Sequence, residues 1–135
     1  MIRERLSATP LVMVIFLFGE VDAMLTTICT LVALDYLSGL MAGFITGELS
    51  SKVGFKGILK KIFIFIILAT ANRIDVVMNA NGAIRFVVMS AMIGNEGLSI
   101  LENAGRCGVP GTEFLSKKLA QLRDMGKDDN NTGKE

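Results

Sequence analysis

Three charged side chains interrupt the apolar parts of this sequence and are its first candidates for chemistry. Asp35, Arg73 and Glu96 lie in three different apolar segments. Because a lone charge inside a lipid bilayer costs several kcal/mol, each is expected to meet a partner or water. One interpretation is a structural ion pair plus a neutral carboxylic acid. The other is a set of intramembrane polar faces, hidden between helices at first, that later line an aqueous opening. These faces would consist of the three charged residues together with Asn72, Asn95 and Ser99.

The residue types in this sequence do not indicate catalysis. The sequence has no histidine, the side chain best suited to proton transfer near neutral pH. Cys29 and Cys107 lack a CxxC spacing and have no histidine to complete a zinc site. Asp35 and Glu96 have no nucleophile or phosphate-binding loop beside them. We therefore predict a protein that is not an enzyme, with no catalytic residues, no metal site and no cofactor.

Composition indicates a lipid bilayer as the surroundings of the chain. Of its 135 residues, 51% are hydrophobic and only 20% are charged, which is more apolar than is usual for a soluble domain. The formal net charge of +1 leaves no excess of cations to neutralise phosphates. Nucleic acid is therefore not an expected partner.

Four apolar segments would have to position the charged side chains. They cover residues 10–19, 23–47, 58–78 and 83–101. A transmembrane helix needs about 20 apolar residues to cross about 30 Å of hydrocarbon. We predict an all-α integral membrane protein with three to four transmembrane helices. The helices are expected at about residues 8–19, 22–47, 56–78 and 83–102, within a transmembrane domain of residues 1–103.

The number of spans stays open at this stage. The first segment is short, so it either crosses the membrane or lies at its interface, and the two arginines before it also allow a signal peptide. In the third segment only residues 62–71 are uninterrupted by charge, and they cover about 15 Å. Lysines at its start can reach the inner headgroups. The charges of Arg73 and Asp75 have to reach the outer membrane surface, contact water or find partners within a helix bundle.

Small residues form a row on the second segment. Gly39, Gly43 and Gly47 recur at every fourth position, with Ser38 and Ala42 beside them. In lipid, rows of small residues let two helix backbones approach closely. The row predicts helix packing and self-association into a homo-oligomer. Packing against the third or fourth segment of the same chain is equally open.

Basic residues indicate the orientation in the membrane. They cluster around the start of the third segment, where we expect them at the membrane surface among the cytoplasmic headgroups. The residues in question are Lys52, Lys56, Lys60 and Lys61. With this cluster inside the cell, the carboxyl terminus is also expected to be cytoplasmic.

The carboxyl-terminal part is expected to lie outside the membrane core. A Gly/Pro-rich turn and a short amphipathic helix are predicted for residues 104–125, with Phe114, Leu115, Leu119 and Leu122 on one face. The charged residues 126–135 are predicted to be disordered.

Three sequence motifs occur in a characteristic order along the chain. Leu34-Asp35-Tyr36 precedes Gly39, the turn Ser51-Lys52-Val53-Gly54-Phe55-Lys56-Gly57 follows, and Asn95-Glu96-Gly97 comes before Leu101-Glu102-Asn103. In these motifs, and over about residues 19–123, the chain resembles the toxin-secretion and phage-lysis holin family. The positions that match the family pattern are Asp35, Gly39, Lys52, Gly54, Phe55, Lys56, Gly57, Asn95, Glu96 and Glu102.

The resemblance implies a phage- or prophage-encoded protein of the bacterial inner membrane. Such a holin oligomerises and, at a set time, opens lesions through which an endolysin reaches the peptidoglycan and lyses the host cell. Relatives in toxin loci imply a large toxin as the alternative cargo, and neither cargo needs direct contact. Two other interpretations stay open: an antiholin that restrains a lytic partner, and a non-lytic membrane scaffold or transport subunit.

Overall fold

A computed structural model describes residues 2–128, with side chains at residues 9–121, and this part of the chain forms five α-helices and no strand. The helices are α1 (Ile2–Phe18), α2 (Ala23–Thr46), α3 (Ser51–Met78), α4 (Ala83–Arg106) and α5 (Thr112–Asp128). The predicted all-α class is confirmed. The Leu122 side chain, predicted to lie on the apolar face of the last helix, and the tail beyond Asp128 lie outside the described residues.

Side-chain caps and left-handed residues set the helix boundaries. The carboxylate of Asp22 accepts a hydrogen bond of 2.9 Å from the backbone N–H of Leu25 at the start of α2. The hydroxyl of Ser50 does the same for Val53 at the start of α3. Gly47 ends α2 with φ 73°, a conformation that suits a residue without Cβ. Because Ser50 is a cap, α3 begins at Ser51 and not at about residue 56.

Helices α2 and α4 lie side by side and run in the same direction. At their starts Arg85 pairs with Asp22, and at their ends Arg106, the last residue of α4, pairs with Glu48 just after α2. Helix α3 connects the end of α2 to the start of α4 and therefore runs antiparallel to both. Helix α1 packs on α3, and α5 packs on α4.

The buried apolar core is small and lies where α2, α3 and α4 meet. It consists of Leu25, Ile28, Val32, Leu68 and Met89. Many large apolar side chains point outward instead, and Phe44, Phe63 and Val77 are among the most exposed. Apolar patches of this extent are rare on soluble monomers, whereas lipid tails are as apolar as the side chains they would cover. The surface is suited to lipid.

Two helices of the described chain, α2 and α4, are by themselves long and apolar enough to cross a membrane, and not three to four as the sequence predicts. The apolar part of α1 extends only over Thr9–Phe18, about 15 Å of helix. Helix α3 is long enough, but charged residues near both of its ends leave no 18-residue window with two or fewer.

Helix α5 follows a turn that contains two glycines with positive φ, Gly108 and Gly111. The side chains of Phe114, Leu115 and Leu119 are exposed, as expected for a helix that contacts a membrane surface. The helix continues to Asp128, so residues 126–128 are helical although the sequence predicts disorder there.

Candidate functional site

A buried cluster of charged groups joins the three central helices. The ammonium group of Lys61 on α3 donates hydrogen bonds to Oδ2 of Asp35 on α2 and, at 2.6 Å, to Oε2 of Glu96 on α4. Asp35 is 6% and Glu96 4% exposed. One cation therefore bridges two carboxylates from different helices, away from solvent.

Two polar side chains complete the cluster. The amide nitrogen of Asn103 donates hydrogen bonds of 3.0 Å to Oδ1 of Asp35 and to the hydroxyl oxygen of Ser38. The hydroxyl of Ser38 in turn donates to the backbone carbonyl of Asp35. Both carboxylate oxygens of Asp35 therefore accept hydrogen bonds. We refer to Ser38, Asp35, Lys61, Glu96 and Asn103 as the polar cluster.

The polar cluster lies near the middle of the helix bundle. Asp35 is about 16 Å along the axis from the end of α2, and Lys61 is about 15 Å from the start of α3, at 1.5 Å per residue. Half of a bilayer's hydrocarbon core has about the same thickness. Removing one partner of a buried ion pair leaves an uncompensated charge and destabilises a protein by about 3–5 kcal/mol. Loss of any one of these charged partners would therefore destabilise the closed arrangement of α2, α3 and α4.

A crevice of about 260 Å³ connects the polar cluster to one end of the bundle. Asp35, Lys61, Asn103 and Ser99 line its inner part, and the exposed Arg106 at the end of α4 lines it nearer the end of the bundle. This volume corresponds to several water molecules at about 30 Å³ each. The buried charges are therefore close to a route for water from the basic end.

The sequence-based placement of Lys61 is wrong in one respect. It was grouped with the surface lysines, of which Lys52, Lys56 and Lys60 are indeed exposed. Lys61 instead points inward, and 18% of its side chain is exposed. Helical spacing was the signal that could have shown this, because Lys61 is three and seven residues from the inward-facing Ile64 and Leu68.

Three residues that the sequence grouped with the buried charges lie elsewhere, and one of them, Asn72, contacts the end of α1. The guanidinium carbon of Arg73 is 4.2 Å above the ring of Phe16 on α1. Asn95 is exposed on α4. Of the two interpretations of the buried charges, the ion pair is present. No carboxylate is left alone, however, because the ammonium group of Lys61 pairs with both Asp35 and Glu96.

The row of small residues on α2 faces other parts of the same chain. Ala42 is fully buried, and a Cβ at Gly39 would lie 3.6 Å from the amide nitrogen of Asn103. A Cβ at Gly43 would lie 3.6 Å from Cα of Leu49, in the turn after α2. Gly47 forms the helix end. Self-association through this row stays a prediction.

A second group of polar contacts holds the other end of the bundle together. Arg85 donates to Asp22 at 2.7 Å and to the backbone carbonyl of Phe18 at 2.7 Å. Asn72 donates to the backbone carbonyl of Leu17 at 3.1 Å. The pKa of Asp22 falls from its usual 3.8 to about 2, chiefly because of the hydrogen bond from Arg85.

Asp75 lies on α3, but its side chain caps the start of α4. Its carboxylate accepts hydrogen bonds from the backbone N–H groups of Gly82, Ile84 and Arg85, at 2.7 to 3.1 Å. Gly82 precedes α4 without a side-chain cap of its own. Asp75 therefore serves as a cap from a different helix. Spacing along the sequence gave no sign of this contact, because it depends on how α3 and α4 pack.

The sequence profile of the bacteriophage holin family matches residues 12–124, which include the whole polar cluster. This chain belongs to the bacteriophage holin family. An uncharacterized protein of Listeria innocua is 43% identical over 114 residues, which are 84% of this chain and 81% of the relative. A protein named a probable holin, from Bacillus phage phi105, is 34% identical over 104 residues, or 77% of this chain and 76% of the relative. No solved structure matches.

Membership in the holin family supports a holin-like role for this chain. Together with the two apolar helices α2 and α4, it indicates association with a membrane. The holin family is not an enzyme family. The part of the chain that the structure describes also contains no group of three carboxylates or thiols positioned to hold a metal ion.

Proposed function

We propose that this protein is a phage or prophage holin that forms lesions in the bacterial inner membrane and so releases an endolysin for host cell lysis. The observation that supports this most is the buried bridge from Asp35 through Lys61 to Glu96. It keeps charged groups buried in the centre of a helix bundle whose outer surface is apolar. Once the helices separate, these groups favour water over lipid.

The closed and open states then differ in what solvates the polar cluster. In the closed chain Lys61 and Asn103 donate the hydrogen bonds that the two carboxylates accept. If several chains rearrange, these side chains turn toward a shared aqueous opening. The change is favourable only when enough copies surround the opening to keep lipid out, which gives a steep dependence on concentration.

Self-association uses small residues that are free on the outside of the closed chain. On α4, Ser90, Ala91 and Gly94 are exposed, and a Cβ at Gly94 or Gly97 would meet nothing within 4 Å. We call these four residues the α4 small-residue face. It suits close helix packing between copies, since Gly39 and Gly43 already contact the same chain.

The basic end of the bundle faces the cytoplasm in this proposal. Helices α2 and α4 cross the bilayer in the same direction, so α3 has to pass back through it between them. Helix α3 is too charged to cross by itself, but its Lys61 is paired inside the bundle. Lys52 and Lys56 then lie at the same side as Arg106 and α5, in agreement with the preference of cytoplasmic loops for basic residues. The carboxyl terminus is cytoplasmic.

Expression of this chain alone in bacteria tests the proposed function. We expect growth to continue until an abrupt loss of membrane potential, followed by lysis when a cytoplasmic endolysin is co-expressed. Harmless accumulation in the membrane would contradict a lytic role and favour an antiholin or a scaffold. Passage of a large toxin in place of endolysin would identify toxin export as the function.

Variants of the bridge test the role of the polar cluster. Lys61→Met leaves two carboxylates without their cation and is expected to advance lysis, while Lys61→Arg should preserve most of the delay. Lys56→Met removes an exposed lysine of the same helix and is the matched control. Quantitative blotting of the membrane fraction separates altered timing from altered accumulation. Equal timing in all three variants would contradict the proposed role of the bridge.

A further inference from the structure

A large apolar groove runs between α1 and α3 and includes no residue of the polar cluster. Its volume is about 710 Å³, within the range of about 300–1,000 Å³ that is common for small-ligand sites. Leu17 and Phe18 of α1 form one wall, and Phe65, Ile66 and Ala69 of α3 contribute to the other. The groove is therefore chemically suited to a hydrocarbon chain.

Arg73 places a positive charge in this groove. Its guanidinium group is stacked on Phe16, and no carboxylate of the described residues lies within ion-pair distance of it. A cation beside hydrocarbon is unfavourable without an anion. The planar guanidinium group also matches a phosphate, to which it can donate two parallel hydrogen bonds. An amphiphile with an anionic phosphate satisfies both features of the groove.

The part of the groove between Ile62 and Arg73 is about as long as one leaflet of a bilayer, and beyond Arg73 the lining continues to Met78. Ile62 and Arg73 both line it, and the 11 residues between their positions correspond to about 16 Å of helix. Half of the hydrocarbon core is about 15 Å thick. An acyl chain that extends along α3 to Ile62 would therefore leave its headgroup near Arg73.

We propose that the groove between α1 and α3 binds one phospholipid, with an acyl chain between the helices and the phosphate at Arg73. A second copy of the chain fits less well, because a two-fold contact through the groove would bring Arg73 against Arg73 without a carboxylate between them. The inference depends on membrane association but not on lysis. The bound lipid would help to hold α1 on the bundle.

Native mass spectrometry of the full chain, delipidated in an uncharged detergent, tests the site. We expect one molecule of phosphatidylglycerol to bind per chain. Diacylglycerol, which has the acyl chains without the phosphate, and inorganic phosphate alone should each bind at least about tenfold more weakly, since each provides only half of the contacts. Equal binding of diacylglycerol would overturn the role of Arg73.

Two variants change the two halves of the groove separately. Arg73→Gln removes the charge and Ala69→Phe fills the apolar part, and each is expected to weaken phosphatidylglycerol binding about tenfold. Arg73→Lys should retain part of the affinity, and Lys56→Gln, which removes a cation outside the groove, should retain all of it. Circular dichroism confirms that helix content is unchanged.

Three results would overturn the inference. One is that both groove variants bind phosphatidylglycerol as tightly as the unmodified chain does. Another is the loss of a dimer in these variants with lipid binding unchanged, which would assign the groove to a second copy. The third is a chain that stays soluble without detergent, which would remove membrane association itself. A chain that binds the lipid but does not lyse cells would overturn only the proposed function.

Discussion

At the scale of single residues, Gly19 has the tightest surroundings of any glycine in the described chain. It has φ 79°, and a Cβ there would lie 2.8 Å from Oδ1 of Asn72 and 2.9 Å from Nε of Arg85. These two side chains donate to the last backbone carbonyls of α1. A residue without a side chain at this position therefore allows α3 and α4 to complete the hydrogen bonding of α1.

Gly19→Ala is expected to lower the free energy of unfolding in detergent by about 2–3 kcal/mol, from backbone strain and from the clash with Asn72 and Arg85. Gly82→Ala is the matched control, because Gly82 has φ 84° but open space around a Cβ. It should lose only about 1 kcal/mol. Chemical denaturation monitored by circular dichroism measures both. Equal losses would show that the contact is unimportant.

Asp22 predicts a pH dependence at the same end of the bundle. Its folded-state pKa of about 2 is below the usual 3.8, so the stability it contributes is present above about pH 4 and is lost as the pH falls toward 2. In Asp22→Asn this part of the acid-induced loss should be absent, while the asparagine can still cap α2. Thermal unfolding in detergent between pH 2 and 6 measures the difference. The same acid-induced loss in both proteins would contradict the assignment.

At the scale of helices, the two rows of small residues have different surroundings. The row on α2 is used within the chain, where Gly39 faces Asn103 and Gly43 faces Leu49. The α4 small-residue face remains on the outside. Both rows have the same kind of sequence pattern, and only the packing of α2 against α4 distinguishes them. For contacts between copies, α4 is therefore the helix to test.

Gly94→Leu is expected to reduce cross-linked oligomers in membranes several-fold and to delay lysis, because the larger side chain keeps helix backbones apart. The single chain should not lose stability, since a Cβ at Gly94 meets nothing and leucine favours the helix by up to about 1 kcal/mol. Val87→Leu, at an exposed position of α4, is the control. Unchanged oligomers in Gly94→Leu would exclude this face.

At the scale of the whole molecule, the two cysteines provide internal markers of orientation. Cys29 is exposed on the lateral surface of α2, and Cys107 is half-buried directly after α4. With the basic end in the cytoplasm, Cys107 is at the inner surface and Cys29 faces lipid. The two positions should therefore differ in their access to reagents dissolved in water.

A membrane-impermeant maleimide is expected to label Cys107 in inverted membrane vesicles and not in intact cells. Cys29 should stay unlabelled in both, because a thiol in hydrocarbon neither ionises nor meets the reagent. Cys29→Ser and Cys107→Ser assign the signal to one residue. Labelling of Cys107 in intact cells would reverse the proposed orientation.

Much of the fold was predictable because apolar runs and breaks are local properties of the chain. The segments around α2 and α4 were located to within a few residues, since glycine and polar turns delimit them. The predicted start of α3, at about residue 56, is too late because the prediction takes no account of the cap at Ser50. The candidate site was predictable only in part: Asp35 and Glu96 were recognised by their charge, but their partner Lys61 was assigned to the surface.

The sequence by itself determined the helical class, the lipid-suited composition and the resemblance to holins, because these follow from residue types and their order. Only the tertiary structure decided which charges meet. Lys61 and Arg73 are both cations on α3, yet one bridges two carboxylates and the other lies in an apolar groove. The physical reason is that an ion pair depends on the rotation and depth of helices far apart in sequence, which packing sets.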